Sequence, residues 1–386
     1  MPGHPPCHLC GGALSERPDF ASLWRVSSDC RPCPPGGRVG VCVVCGAVQK
    51  PPDANWRLDT ERIYATYDIY HQSGGVEQST FDPVSGQPQT RSSRLADFLH
   101  AWPDLPSSGR LLDVGCGNGA MLRAASSRMP GWKLSGLDLS DRYRDTVLRI
   151  PGVEAFYSVD LNTVSDRFEV VTLVHALEHI VNPARFLRDS VAPRLAADGA
   201  VFIEVPDVSQ NPYDLLVADH ATHFDSRTLE ETVTAGGFEV LASSRDWIPK
   251  ELTLLARPAR SAEVLTISRG DGARALGWID QLLDTRRVIV EIVRKANQAI
   301  PFGVFGTSIA ATWIASELGD AVQFFVDEDP ARGPRPFMGR PVLRPAEVEP
   351  GASVLVMLAP VVAATVVGRL SGAFPNVNWW PPSKGD

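Results

Sequence analysis

The sequence predicts an α/β fold in three parts: a small cysteine-rich module, a mostly parallel sheet of seven strands flanked by helices, and a second, smaller α/β unit. Three observations predict it. A strand end, a glycine turn and a helix start follow one another over residues 111–129, with glycines at 115, 117 and 119. Apolar runs of strand length ending in an acid or a histidine recur behind it, at 134–138, 158–161 and 168–175. Six of the seven cysteines stand in three Cys-x-x-Cys pairs within the first 45 residues.

The cysteine-rich module covers residues 1–52. In a cytosolic chain this spacing reads as metal binding, because two thiolates three residues apart wrap one tetrahedral ion. Cys7/Cys10 and Cys42/Cys45 are each followed by a glycine, which suits the knuckle that points backbone N–H groups at the sulfurs, whereas Cys30/Cys33 is flanked by prolines. Cys7, Cys10, Cys42 and Cys45 are the expected ligands of a structural zinc; Cys30/Cys33, His4 and His8 are the alternatives. A segment this short and this rich in Pro and Gly has little core, so a metal would be what folds it.

Residues 53–108 read as a helical linker and lid. The aromatic-rich stretch 59–70 is expected to be partly helical, 71–89 to be loop, and 92–102 to be a helix with Leu95, Phe98 and Leu99 on one face. Tyr64, Tyr67 and Tyr70 are either lid residues over a ligand or packing residues of the first helix.

The central domain runs over 109–258. Glycines at 115, 117 and 119 allow close backbone approach to a ligand and supply positive φ. Asp113 at the strand end would repel a pyrophosphate but can accept from a cationic amino group. Asp138 ends the next strand, where a carboxylate holds ribose hydroxyls in α/β cofactor sites. Asp160 ends the third, and His175 the fourth. A helix over 183–195, strands at 199–205, 237–241 and 251–256, and a helix at 226–235 complete the pattern.

These ordered motifs resemble the class I S-adenosylmethionine (SAM) dependent methyltransferases, whose Rossmann-like sheet has seven strands. The resemblance implies that Asp113 and the turn Gly115, Cys116, Gly117 and Gly119 hold the methionine part. It also implies that Asp138 and Leu139 hold the ribose, that Asp160 and Leu161 meet the adenine edge, and that His175 lies beside the cofactor carboxylate.

Between the fifth strand and the next helix, residues 211–224 carry Asp219, His220 and His223 beyond the carboxyl ends of the strands, where open α/β sheets bind ligands. Histidine suits proton removal near neutral pH, and the adjacent Asp219 is expected to orient or polarise it. Residues 259–386 begin with a long amphipathic helix and continue as a small Rossmann-like domain. Its fingerprint is degraded, with Ser308 where a second glycine should approach a pyrophosphate and Ala311 at the third position.

This order of parts resembles the sugar-nucleotide C-methyltransferases, which methylate C-3 of a nucleoside-diphosphate-linked 4-keto-deoxyhexose. The resemblance implies a nucleotide-sugar substrate, and an acid-His pair, here Asp219 and His220, that forms an enolate beside the ketone. The loop departs from the family at His223, where a tyrosine is usual. An O- or N-methyltransferase with the same site, and a zinc-scaffolded SAM-binding protein without turnover, are the alternatives.

Composition narrows the partners. A net charge of -8 and a pI near 5.5 speak against a nucleic-acid partner, which calls for a basic face. There is no run of about 18 apolar residues and no secretory pattern, so no membrane partner is expected and the expected location is cytoplasmic.

Overall fold

The computed structural model describes residues 6–77, 79–81, 88–260, 267–297, 299–333 and 335–382, which leaves His4 outside the described residues. The chain opens with strands β1 (Leu14–Glu16), β2 (Gly40–Cys42) and β3 (Val48–Gln49). Helix α1 (Ala54–Thr66) follows, started by Asp53, whose side chain accepts from the Trp56 N–H, and α2 (Arg91–Ala101) is capped by Thr90 in the same way. Leu95 and Leu99 lie buried on one face of α2.

The central sheet begins with β4 (Arg110–Val114), α3 (Ala120–Arg128), β5 (Lys133–Leu137), β6 (Val153–Tyr157), β7 (Phe168–Val174) and β8 (Leu195–Pro206). After the two-residue strand β9 (Thr222–His223) come α4 (Ser226–Ala235), β10 (Phe238–Ser244) and β11 (Glu251–Pro258). The strand order is β6-β5-β4-β7-β8-β11-β10, parallel except for β11, which runs antiparallel to both neighbours. The seven strands match the expectation from the motifs, and the antiparallel β11 makes the sheet mixed. Neighbouring residues bury opposite faces: Leu111, Val170 and Phe202 enter the core on the α2–α3 side, Leu112, Val171 and Ile203 the core on the other. Helices cover both faces, and this is why the strands read as continuous apolar runs with no polar alternation.

The last part holds α5 (Gly272–Lys295), β12 (Phe302–Phe305), α6 (Ile309–Leu318), β13 (Phe324–Val326), β14 (Val342–Leu343), β15 (Ser353–Val356), α7 (Pro360–Ala373) and β16 (Asn378–Trp380). Its five strands form a parallel sheet in the order β14-β13-β12-β15-β16. Among the described residues no helix is long and apolar enough to cross a membrane.

Besides clusters of their own, the three parts share one core. Phe20, Leu23, Val26, Val41 and Val48 of the first part pack in one buried cluster with Tyr213, Leu215 and Leu216 of the central domain and with Ile279, Trp313 and Phe325 of the last. β9 leaves the central domain to pair antiparallel with β3, giving a four-stranded sheet β1-β2-β3-β9. The loop carrying the histidines is thereby built into the cysteine-rich part.

Candidate active site

The cleft at the carboxyl end of β4 is shaped by three left-handed glycines. Gly115, Gly117 and Gly119 have φ of 76°, 49° and 85°. A Cβ at Gly119 would meet Ile150 Cδ1 at 2.6 Å, and one at Gly115 would meet Ala176 Cβ at 3.0 Å, so a side chain at either glycine adds a displaced neighbour to a left-handed backbone. The Gly117 N–H donates to Asp138 Oδ2 at 2.9 Å, which ties the glycine turn to the acid after β5. Asp160 accepts from the Asn162 N–H at 2.8 Å and caps a short turn that begins with the buried Leu161. Leu139 is 82% exposed, an apolar surface beside Asp138 that an adenosine would cover. Cys116 is buried beneath the turn. Asp113 is buried and accepts from Thr172 Oγ1 at 2.7 Å; burial pushes its carboxyl up to about 7, with the Thr172 bond pulling the other way. Left-handed glycines that let the backbone approach a ligand, an acid at each strand end and an open apolar shelf fit SAM.

His175 stands at the end of β7 with φ of 51°, in a buried ionic nest. Arg91 Nη1 lies 2.8 Å from its Nε2, Glu178 Oε1 lies 3.3 Å from its Nδ1, and Glu204 and Glu251 are 3.4 and 3.5 Å from Nε2. Arg91 also donates to the Tyr70 hydroxyl at 3.1 Å. This arginine was not singled out in the sequence because its contacts come from four separate elements.

The histidine loop is organised by an acid the sequence reading passed over. Asp214, in the turn Pro212–Leu216, receives His220 Nδ1 at 2.8 Å on one oxygen and His223 Nδ1 at 2.6 Å on the other. Asp219, expected to orient His220, instead accepts from the backbone N–H of Ser28 at 2.9 Å and from its hydroxyl. Asp219 lies in a turn that faces Ser28, and Asp214 reaches His220 from the turn six residues earlier. A carboxylate that close accepts only, so His220 carries its proton on Nδ1 and presents Nε2. Burial opposes charge on His220, but Asp214 outweighs it and raises the imidazole above its ordinary value. Burial holds His223 down to about 4, so it stays neutral and donates to Asp214.

His179 lies edge-on to His220, ring centroids 4.6 Å apart. Its Nδ1 is 3.2 Å from the Asp219 carbonyl and 3.1 Å from the Tyr64 hydroxyl. Tyr64 thus reaches the site from α1, on which it is partly exposed. One ligating atom each of Glu178, His179 and His220 falls within 4.8 Å of the others, so His220 stands in a cluster of titratable groups.

The sulfurs of Cys7, Cys10, Cys42 and Cys45 converge within 4.8 Å, with Cys7–Cys45 at 3.8 Å and Cys10–Cys42 at 3.4 Å. A tetrahedral zinc with Zn–S bonds of about 2.3 Å separates its sulfurs by about 3.8 Å, so the four residues fit the ion. The Val44 and Cys45 N–H groups point at Cys42 Sγ, as a knuckle requires. Cys30 and Cys33 lie outside this cluster, and His8 turns its Nε2 to Thr222 Oγ1 at 2.7 Å.

A family model described as a methyltransferase domain matches residues 89–243. The ubiquinone biosynthesis O-methyltransferase of Hahella chejuensis is 31% identical over 171 residues, 42% of this chain and 66% of that protein. Its namesake from Bordetella bronchiseptica is 31% identical over 121 residues, 29% of this chain and 48% of that protein. The chain therefore spans about half to just under two thirds of the length of these curated relatives. Among solved structures, an O-methyltransferase family protein from Burkholderia thailandensis is similar at 17% identity and a TM-score of 0.37, over 45% of this chain and 57% of that one. With the motifs seated on a seven-stranded mixed sheet, residues 89–243 form a class I SAM-dependent methyltransferase domain.

Proposed function

We propose that the chain transfers the methyl group of SAM to a small activated metabolite, with His220 as the base that prepares the acceptor. The observation that carries this reading is the Asp214–His220 pair, 2.8 Å apart, on the loop beyond the strand ends of a methyltransferase domain. Asp113, Asp138, Asp160 and the glycine turn would hold SAM, which supplies a methyl already activated as a sulfonium. What remains for the protein is to place the acceptor and remove its proton. His220 Nε2 takes that proton, Nδ1 keeps its own, and Asp214 stays ionised and offsets the charge gained by the ring. Tyr64 meets His179, which lies edge-on to His220, and the two would orient the acceptor.

The acceptor we favour is the carbon beside the ketone of a nucleoside-diphosphate-linked 4-keto-deoxy sugar, whose C–H becomes acidic enough for an imidazole once the enolate can form. A hydroxyl acceptor is the second reading, favoured by the O-methyltransferase names of the curated relatives. The four cysteines would hold a structural zinc.

Incubation with methyl-labelled SAM and a panel of nucleoside-diphosphate 4-keto sugars in heavy water tests this. Deuterium and label are expected at the same carbon, and both should fall by a factor of about 10²–10⁴ in His220→Ala while SAM still binds. Label on a hydroxyl, without carbon-bound deuterium, would select the second reading. Undiminished transfer in His220→Ala would remove the base assignment altogether.

A further inference from the structure

The histidine loop belongs structurally to the cysteine module. Thr222 and His223 pair with Gln49 and Val48, four residues after Cys45 and nearer. The Lys50 N–H donates to the Ala221 carbonyl at 3.0 Å, and Lys50 Nζ to the Leu215 carbonyl. The Ala218 N–H donates to the Val26 carbonyl at 2.8 Å, and Trp56 Nε1 to the Ala218 carbonyl at 3.0 Å. Ser28 holds both oxygens of Asp219, and His8, one residue after Cys7, holds Thr222. His220 therefore sits between two residues, Asp219 and Ala221, that are each bonded to the first fifty residues of the chain.

The central domain holds this segment as well, through Asp214, through the Val208 N–H, which donates to the Phe224 carbonyl at 2.9 Å, and through Phe224, buried in its core. The Ala221 N–H donates to the Glu178 carbonyl at 2.7 Å, and His179 meets the Asp219 carbonyl. The cysteine end of the module depends in turn on its sulfurs: its buried cluster is only Cys7, Cys42, Cys45 and Ala47, with Leu9, Cys10, Leu14 and Ile267 around it. Four thiols are a poor core, and a bound cation turns them into a rigid one. The glycine turn of the cofactor site, by contrast, makes its nearest contacts inside its own part of the chain, with Asp138, Ile69, Ile150 and Ala176, while Arg142 and Tyr143 after β5 reach Tyr67 and Asp68, whose N–H donates to Asp29.

We propose that the cysteine module is the positioning device for the base: Ser28 and Thr222 are positioning residues, and the metal state of the module sets the placement of His220 without altering SAM binding. This rests on the reading of His220 as base and of the four cysteines as metal ligands. It assigns the module a catalytic consequence at a distance. Loss of the cation releases β3 and β9 and leaves a methyltransferase domain that still holds its cofactor.

The test uses the full chain, with metal content measured first. Hydrogen exchange of residues 214–224 and of 110–122 is compared in the intact protein, after metal removal by a chelator, and in Ser28→Ala and Ser28→Thr. SAM affinity is measured by calorimetry on each sample. Exchange in 214–224 is expected to rise at least about tenfold on metal removal and in Ser28→Ala, with SAM affinity and 110–122 within about twofold. Ser28→Thr keeps the hydroxyl and should restore protection. With an acceptor in hand, kcat should fall in Ser28→Ala while the KM for SAM holds. Unchanged protection of 214–224 after metal release overturns the metal link, and unchanged protection in Ser28→Ala overturns the positioning role. Loss of SAM binding in step with the loop overturns their independence. A chain isolated without metal defeats the zinc reading alone, because the Ser28 arm needs no metal.

Discussion

Asp214 carries two imidazoles on one carboxylate, and the two shift in opposite directions. His223 is sealed and neutral, while His220 keeps its affinity for a proton raised by the same acid. A base works in its neutral form, so transfer should rise with pH through a limb lying above the ordinary histidine value of about 6.5. Removing the carboxylate charge removes the cause: Asp214→Asn is expected to move that limb to lower pH and to lower the plateau, both read from a pH–rate profile. Asp113 gives a second pH dependence. Its carboxyl sits near 7 through burial, and pairing with the ammonium of SAM calls for the ionised form. SAM affinity should therefore weaken about tenfold for each unit below pH 7, and Asp113→Asn should flatten that dependence in a calorimetric titration. These two acids differ in how they could be found. Asp113 announces itself by standing before three alternate glycines, whereas Asp214 is one aspartate in a loop, and only the folded turn brings it to His220. Arg91 and Ser28 were hidden for the same reason, since Ser28 meets Asp219 across 191 residues of chain.

At the scale of elements, the strand-turn-helix from β4 to α3 is the most constrained piece. Gly119 caps α3 with φ of 85°, and a methyl there would strike Ile150. Gly119→Ala combines that clash with left-handed strain of about 1–3 kcal/mol. It should lower the thermal midpoint by several degrees and weaken SAM binding together, measured by calorimetry with and without the cofactor. The same piece is the one most legible in the sequence, because strand, turn and helix are contiguous and each carries a local signature. β7, β8, β10 and β11 were legible for the same reason, with ends displaced by a few residues. Short elements were not: β9, β14 and the strand at Asn378–Trp380 hold two or three residues each, too few for a period to show, and they exist because a longer neighbour offers an edge. The pairing of β9 with β3 has no local signature at all.

For the whole molecule, the consequential fact is the shared core. Trp313 of α6 is fully buried in the cluster that also holds Phe20, Leu23, Leu215 and Leu216. Glu317 on the same helix accepts from the Trp24 N–H at 2.9 Å and pairs with Arg286 at 2.7 Å. Trp313→Ala should cost about 3–5 kcal/mol and should loosen the histidine loop along with the last domain, which hydrogen exchange would show as a joint loss of protection. Binary reading of the chain into a module, a linker, a central domain and a last domain follows the order of motifs, but the packing groups the ends against the middle. That grouping bears on folding: the sheet of the cysteine segment is completed only by Thr222–His223 and its apolar cover comes from α5 and α6, so both close through contacts of long sequence separation, which form slowly.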